Sequence, residues 1–133
     1  MREVKFRAFD KIKCQIAQVL KLDLWGANFE QRNVYLLNGG VSRHIGEFEL
    51  MQFTGLKDKN GKEIYEGDVL SEPIQIDEEW TNSAIPVIWS DEKSAFCVDF
   101  SFDKDGSFIE YLSENCSEME IIGNIYENPE LLT

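Results

Sequence analysis

One histidine, three cysteines and three prolines are all that this chain of 133 residues holds of those types, and the scarcity excludes several kinds of chemistry. With His44 alone, a multi-histidine metal centre cannot be built, and a serine or cysteine nucleophile would depend on this one imidazole. His44 stands in GGVSRHIGEF without a GxSxG elbow, so it reads as a loop or strand-end residue with no catalytic duty. Cys14, Cys97 and Cys116 are odd in number and form no CxxC pair. Neither a disulfide framework nor a zinc site is expected, and all three read as core thiols. No run of about 18 apolar residues occurs, which excludes a membrane-spanning helix. The charged opening lacks the apolar centre of a signal peptide, so the expected location is the cytoplasm.

Basic residues are also few, and they are unevenly placed. The net charge is -12, yet residues 1–21 carry +4, residues 22–65 carry -1 and residues 66–133 carry -15. A C-terminal half this acidic repels a phosphate backbone, which disfavours ordinary nucleic-acid binding there. A hydrophobic content of 43% suffices for a real core. Disorder is therefore not expected as a global description.

What the chain does have is short alternating segments. In REVKFRAFD, Val4, Phe6 and Ala8 alternate with Glu3, Lys5 and Arg7, predicting a strand over residues 3–9 with one wet face. Residues 12–24, IKCQIAQVLKLDL, fit either a helical stripe or an alternation whose phase breaks at Val19. The β-branched content favours two short strands, or one with a bulge. NVYLL at 33–37, stopped by Asn38-Gly39-Gly40, and FELMQFT at 48–54 read as further strands. Five more, VLSEPIQI, IPVIWS, SAFCVDFSF, SFIEYL and MEIIGNIY, are separated by DEEWTNS, DEK, KDG and SENCSE as turns. The fold class expected is mainly β, with N-terminal strands and hairpins over residues 1–65 and a small SH3-like antiparallel barrel over 66–133, or one continuous domain. Asn128-Pro129 predicts a single helical turn at the tail.

GLKDKNGKEIYEGDVL, residues 55–70, has the glycines and charges of either a ligand cradle or a hairpin. A two-residue turn at Asn60-Gly61 sets Lys59 against Lys62 and Asp58 against Glu63, which is unfavourable. A three-residue loop, Lys59-Asn60-Gly61, with Gly61 in the left-handed position, sets Asp58 against Lys62, Lys57 against Glu63, Leu56 against Ile64 and Gly55 against Tyr65. This register is the one expected, with the Tyr65 ring shielding Gly55. Glu66-Gly67-Asp68 then forms a second turn. No GxxxxGK[ST] or GxGxxG pattern supports a phosphate cradle.

Metal motifs fail on inspection. Asp58-Lys59-Asn60-Gly61 and Asp103-Lys104-Asp105-Gly106 imitate the centre of an EF-hand loop, but the first ligand position falls on Leu56 or Ser101 and the twelfth on Gly67 or Leu112. No metal, cofactor or catalytic residue is expected. Asp77, Glu78 and Glu79 read as a solvated loop. Trp25, Trp80 and Trp89 read as core or subunit-interface residues. Base stacking beside a basic strand, through Lys5 and Arg7 with Phe6 and Phe9, is the lesser alternative.

Three blocks, KFRAFDK at 5–11, LMQFTGLKDKNGKEIYEGDVL at 50–70 and IIGNIYENPELL at 121–132, together resemble the YopX family of phage and prophage proteins. They cover about a third of the chain, and residues 22–47 and 71–117 show no match. The resemblance implies a bacterial cytoplasmic setting, a phage or prophage origin and homo-oligomers, and it implies no known activity. The expected function is that of a non-enzymatic accessory protein acting by protein–protein interaction with a host or phage partner. Nucleic-acid binding by the basic N-terminal strand, or mimicry of a nucleic acid by the acidic half, is the alternative.

Overall fold

Asp10 ends the first strand and holds the first turn. In the computed structural model, which describes residues 3–25, 32–37, 42–100 and 108–132, β1 (Phe6–Asp10) pairs antiparallel with β2 (Gln15–Asp23). Asp10 Oδ1 accepts the N–H groups of Ile12 and Lys13 at 3.0 and 3.1 Å, and the Cys14 N–H donates to the Asp10 carbonyl at 2.7 Å. Cys14 lies at this turn with φ +55° and is exposed; the core assignment holds for Cys97 and Cys116 but not for Cys14. No helix forms over 12–24. β2 is one strand with a bulge between Val19 and Lys21, where the apolar phase breaks.

The chain divides into two compact units, Met1–Gln52 and Phe53–Thr133. In the first, β3 (Asn33–Leu36) pairs with β2, and β4 (Arg43–His44) with β3. β5 (Phe48–Lys57) lies along the other side of β1, with Phe48 opposite Asp10 and Leu50 opposite Ala8. Ala8, Val34 and Phe48 are the buried centre, with Val19, Leu22, Leu36, Ile45 and Leu50 packed against them. Period-two alternation places Ala8, Phe48 and Leu50 on one face, which is why that face holds the core.

The end of β5 enters the second unit and pairs with β6 (Glu63–Tyr65). The tip is the expected three-residue loop: Gly61 N–H donates to the Asp58 carbonyl at 3.0 Å, Asp58 N–H to the Lys62 carbonyl at 2.9 Å, Lys57 faces Glu63, and Gly61 takes φ +79°. Below the tip the expected register fails. Tyr65 lies opposite Phe53 instead of Gly55, because the strand bulges between Phe53 and Lys57, with Gly55 at φ +84°. Thr54 Oγ1 donates to the Ile64 carbonyl at 2.7 Å and accepts from the Leu56 N–H at 3.2 Å, a hydroxyl standing in for the ladder. Tyr65 is buried with its ring centroid 5.6 Å from that of Phe53, and the space that a side chain at Gly55 would enter is open. It gives Gly55 no shield.

After the Glu66-Gly67 turn, β7 (Asp68–Ser71) is the hub of a sheet ordered β12-β11-β10-β7-β13, formed with β10 (Ile85–Ser90), β11 (Ala95–Asp99), β12 (Ile109–Tyr111) and β13 (Glu120–Asn124). Ile64, Leu70, Ile85, Val87, Val98, Leu112, Cys116 and Met119 form its buried core. The mainly β class is as expected, but the barrel stays open. β12 and β13 do not pair because the hairpin tip takes the outer side of β13: Lys59 N–H donates to the Met119 carbonyl at 2.9 Å and Ile121 N–H to Asp58 Oδ2 at 3.0 Å. The SENCSE segment holds short 3-10 turns at Leu112–Glu114 and Cys116–Glu118, and the tail forms one at Pro129–Leu132. The Asp103–Gly106 motif lies outside the described residues.

Between β7 and β10 the expected DEEWTNS loop is largely a strand. β8 (Pro73–Ile76) and β9 (Glu79–Asn82) form a separate two-stranded ribbon, Ile76 opposite Glu79 and Gln75 opposite Trp80. β8 falls in VLSEPIQI, expected as a strand, whereas β9, exposed along its whole length, has no burial alternation to read.

Close packing leaves no room for a side chain at Gly123. A Cβ there would lie 2.5 Å from Asn128 Oδ1 and 2.9 Å from Leu131 Cδ1. Asn128 Oδ1 also accepts the Asn124 N–H at 3.2 Å, so the clashing group is not at liberty to move. Gly123→Ala is expected to lower stability by about 1–3 kcal/mol, read as a lower urea midpoint at unchanged slope.

Candidate interaction surface

The ribbon's tip is Asp77-Glu78, both at positive φ, +50° and +69°. This is the type I′ geometry that normally selects Asn-Gly. Holding a glutamate there costs backbone energy that glycine would not. Glu78→Gly is accordingly expected to raise stability by about 0.5–1 kcal/mol, checked as a higher thermal midpoint. The ribbon's base is clamped: Ser83 N–H and Oγ both donate to the Glu72 carbonyl at 3.0 Å, and Glu72 N–H reaches Ser83 Oγ at 3.4 Å. A buried serine thus fixes an exposed arm.

On that arm Trp80 is 72% exposed, and Gln75, Asp77, Glu78, Glu79, Thr81 and Asn82 are exposed around it. The core reading fails for all three tryptophans. Trp25 is exposed, and Trp89 is partly covered, its ring edge-on to Phe96 at 5.1 Å and its Nε1–H donating to Asp91 at 2.9 Å. An aromatic side chain predicts burial only where a second layer of structure covers its face, and a two-stranded ribbon supplies none. Asp77, Glu78 and Glu79 are solvated as expected, but only Asp77 and Glu78 form a turn, and Glu79 opens β9.

The buried polar residues behave differently, because each is consumed by the fold. Arg43 forks onto Asp10 with Nη1 and Nη2 at 2.5 and 3.0 Å, donates Nε–H to Glu47 at 2.9 Å, and lies over the Phe48 ring at 4.8 Å. Its hydrogen bonds hold the Asp10 carboxyl down at about 2 against the opposing effect of burial. Asp58 is 6% exposed. Burial pushes its carboxyl up, but the backbone N–H groups of Ile121, Lys62 and Asn60, at 3.0, 2.9 and 2.9 Å, prevail and hold it below the ordinary value. Asp68 Oδ2 accepts the Tyr65 N–H at 2.8 Å, and Asn124 Oδ1 accepts from Tyr126 and Glu127 at 3.0 and 2.8 Å. His44 Nδ1 accepts the Gly46 N–H at 3.0 Å at a strand end. Burial pushes both the Cys97 and Cys116 thiols up, away from the reactive thiolate.

The four carboxylate and amide locks, Asp10, Asp58, Asp68 and Asn124, all fall within the three sequence blocks noted above, whereas the ribbon falls outside them. A family described as YopX protein matches the chain over residues 5–133. The chain belongs to the YopX family. The match is continuous, so residues 22–47 and 71–117, which show no resemblance by inspection, belong to it as well. Two solved structures are similar over the whole of both chains: the protein EF1440 from Enterococcus faecalis, 25% identical with a TM-score of 0.65, and yopX from Bacillus subtilis, 24% identical with a TM-score of 0.62. A comparison with curated proteins gives no match. This YopX-family chain thus carries the family's fold over its described residues, with its turn locks in the three blocks and its exposed arm between them.

Proposed function

We propose that this YopX-family protein works by binding another protein through its acidic C-terminal unit, and not by catalysis. The observation that carries the proposal is Trp80, an indole 72% exposed on a clamped ribbon among exposed carboxylates. Tryptophan anchors are the side chains that most often dominate the energy of protein interfaces. The net charge of -15 over residues 66–133 favours a partner with a basic face and raises the rate of encounter with it. A site that normally receives nucleic acid meets this description, so mimicry of a nucleic acid is the sharper form of the proposal. The proposed setting is the cytoplasm of a bacterium carrying a phage or prophage, with the partner a host or phage protein, and self-association accompanies it; the family resemblance supports both.

Direct nucleic-acid binding by the N-terminal strand is the weaker reading. Lys5 pairs with Glu3 at 3.3 Å, Lys11 with Glu49 at 3.5 Å, and Arg43 with Asp10 and Glu47. Cations already facing carboxylates release fewer counterions to a phosphate backbone. Affinity purification from host lysate at low and high salt tests the proposal. A protein partner retained at low salt and lost at high salt is the expected result; a partner held equally at both, or an oligonucleotide shifted at low salt, overturns it.

A further inference from the structure

We infer that the β8–β9 ribbon is the docking arm for an arginine-rich segment of the partner protein, with Trp80 as its anchor. This inference rests on the protein-binding reading above and adds the place and the chemistry. Trp80 shares a ribbon face with Gln75 opposite it, and Asp77 and Glu78 sit at the tip just beyond. The two carboxylates occupy left-handed backbone positions where Asn-Gly would fit with less strain, so the tip keeps negative charge at a cost in stability. Neither strand belongs to the larger sheet, and the clamp of Ser83 on Glu72 sets the arm's base before any partner arrives. Little ordering is then left to binding.

Charge complementarity selects the occupant. An apolar segment would be set beside carboxylates it cannot pair, and a nucleic acid would be repelled. A guanidinium suits both parts of the arm: its plane stacks on an indole face, and its forked N–H groups match a carboxylate. An ammonium offers a point charge without that planar fork, so arginine is preferred to lysine.

The test uses the full chain, a short oligo-arginine peptide as probe, and the three indole Nε1–H resonances in solution, with that of Trp80 assigned by W80F. The Trp80 resonance is expected to shift saturably with the probe. W80A should weaken binding about tenfold or more, and D77N/E78Q/E79Q should flatten its salt dependence, each with an unfolding midpoint no lower than that of the wild type. Binding that leaves the Trp80 resonance still sinks the ribbon as the site while leaving an acidic, protein-binding surface elsewhere intact. An oligo-lysine peptide bound as tightly sinks the arginine preference. A Trp80 shift that depends on protein concentration alone, with a mass in light scattering that falls in W80A, assigns the arm to a second copy of this chain instead. A lysate partner captured unchanged by W80A also overturns the inference, and failure of the lysate experiment itself overturns the reading beneath it.

Discussion

Asp58→Ala is expected to lower the stability of the C-terminal unit by about 3–5 kcal/mol, a large share of the roughly 5–15 kcal/mol that holds a typical domain together. One buried carboxylate there accepts three backbone N–H groups, those of Asn60 and Lys62 within its own turn and that of Ile121 on β13. Alanine removes all three charge-assisted bonds and leaves the Ile121 donor facing the outer side of β13 unanswered. Asparagine is instructive as the near-isostere. Its one carbonyl oxygen can serve either the turn or the strand, and its Nδ2 then sets a donor against a donor, so Asp58→Asn should retain only part of the loss. Urea unfolding followed through the C-terminal tryptophans checks both, with the midpoint falling in the order wild type, Asn, Ala. A loss below about 1 kcal/mol for alanine would mean that Lys59 N–H to the Met119 carbonyl closes the tip on β13 unaided.

Arg43→Ala should be comparably costly to the N-terminal unit, by about 3–5 kcal/mol, because it strands the Asp10 carboxylate in a site that is 1% exposed. Removing both partners is the control. D10A/R43A leaves no buried charge behind and should be less damaging than R43A alone, a positive coupling in a double-mutant cycle. The same pair sets a pH dependence. The folded Asp10 titrates at about 2, below its ordinary 3.8, so folding disfavours its protonation. Its contribution is complete above about pH 4 and is lost as the pH falls toward about 2, while Arg43, raised further by Asp10, stays charged throughout. Unfolding midpoints measured down this range should fall for the wild type, and the part of the fall owed to Asp10 should be missing in D10A/R43A. Identical profiles for the two proteins would remove Asp10 from the acid response.

The tip of the 55–70 hairpin was readable because few loop lengths are compatible with its charges: opposite-sign pairing selects Lys59-Asn60-Gly61, and glycine supplies the left-handed position. Four residues further down, that reasoning runs out. Thr54 bonds the Ile64 carbonyl with its hydroxyl and lets Gly55 bulge, and nothing in a pattern of apolar alternation announces a side chain that replaces a backbone partner. The bulge of β2 was visible at Val19 because there the apolar phase itself breaks. Asp58 shows a second limit. Pairing arithmetic gives it to Lys62 as a surface charge, yet its carboxylate turns inward to bind a strand more than sixty residues away, a long-range contact that local spacing does not encode. Strand β9 is hidden for the opposite reason, being exposed along its whole length, and with it the exposure of Trp80. Exposed residues that pack against nothing within the chain leave no imprint on its internal periodicity.

On the proposed reading, labour is divided: buried Asp10, Asp58, Asp68 and Asn124 hold the fold, and the exposed ribbon between the sequence blocks is the surface proposed to meet the partner. The most direct measurement is the affinity of the captured partner for wild type and for D77N/E78Q/E79Q as salt is raised, with unfolding midpoints recorded alongside. The wild-type affinity should fall steeply with salt, and the triple variant, at least as stable, should bind more weakly with a flatter dependence. The same affinity and the same salt slope in both proteins would contradict the assignment of binding to the ribbon.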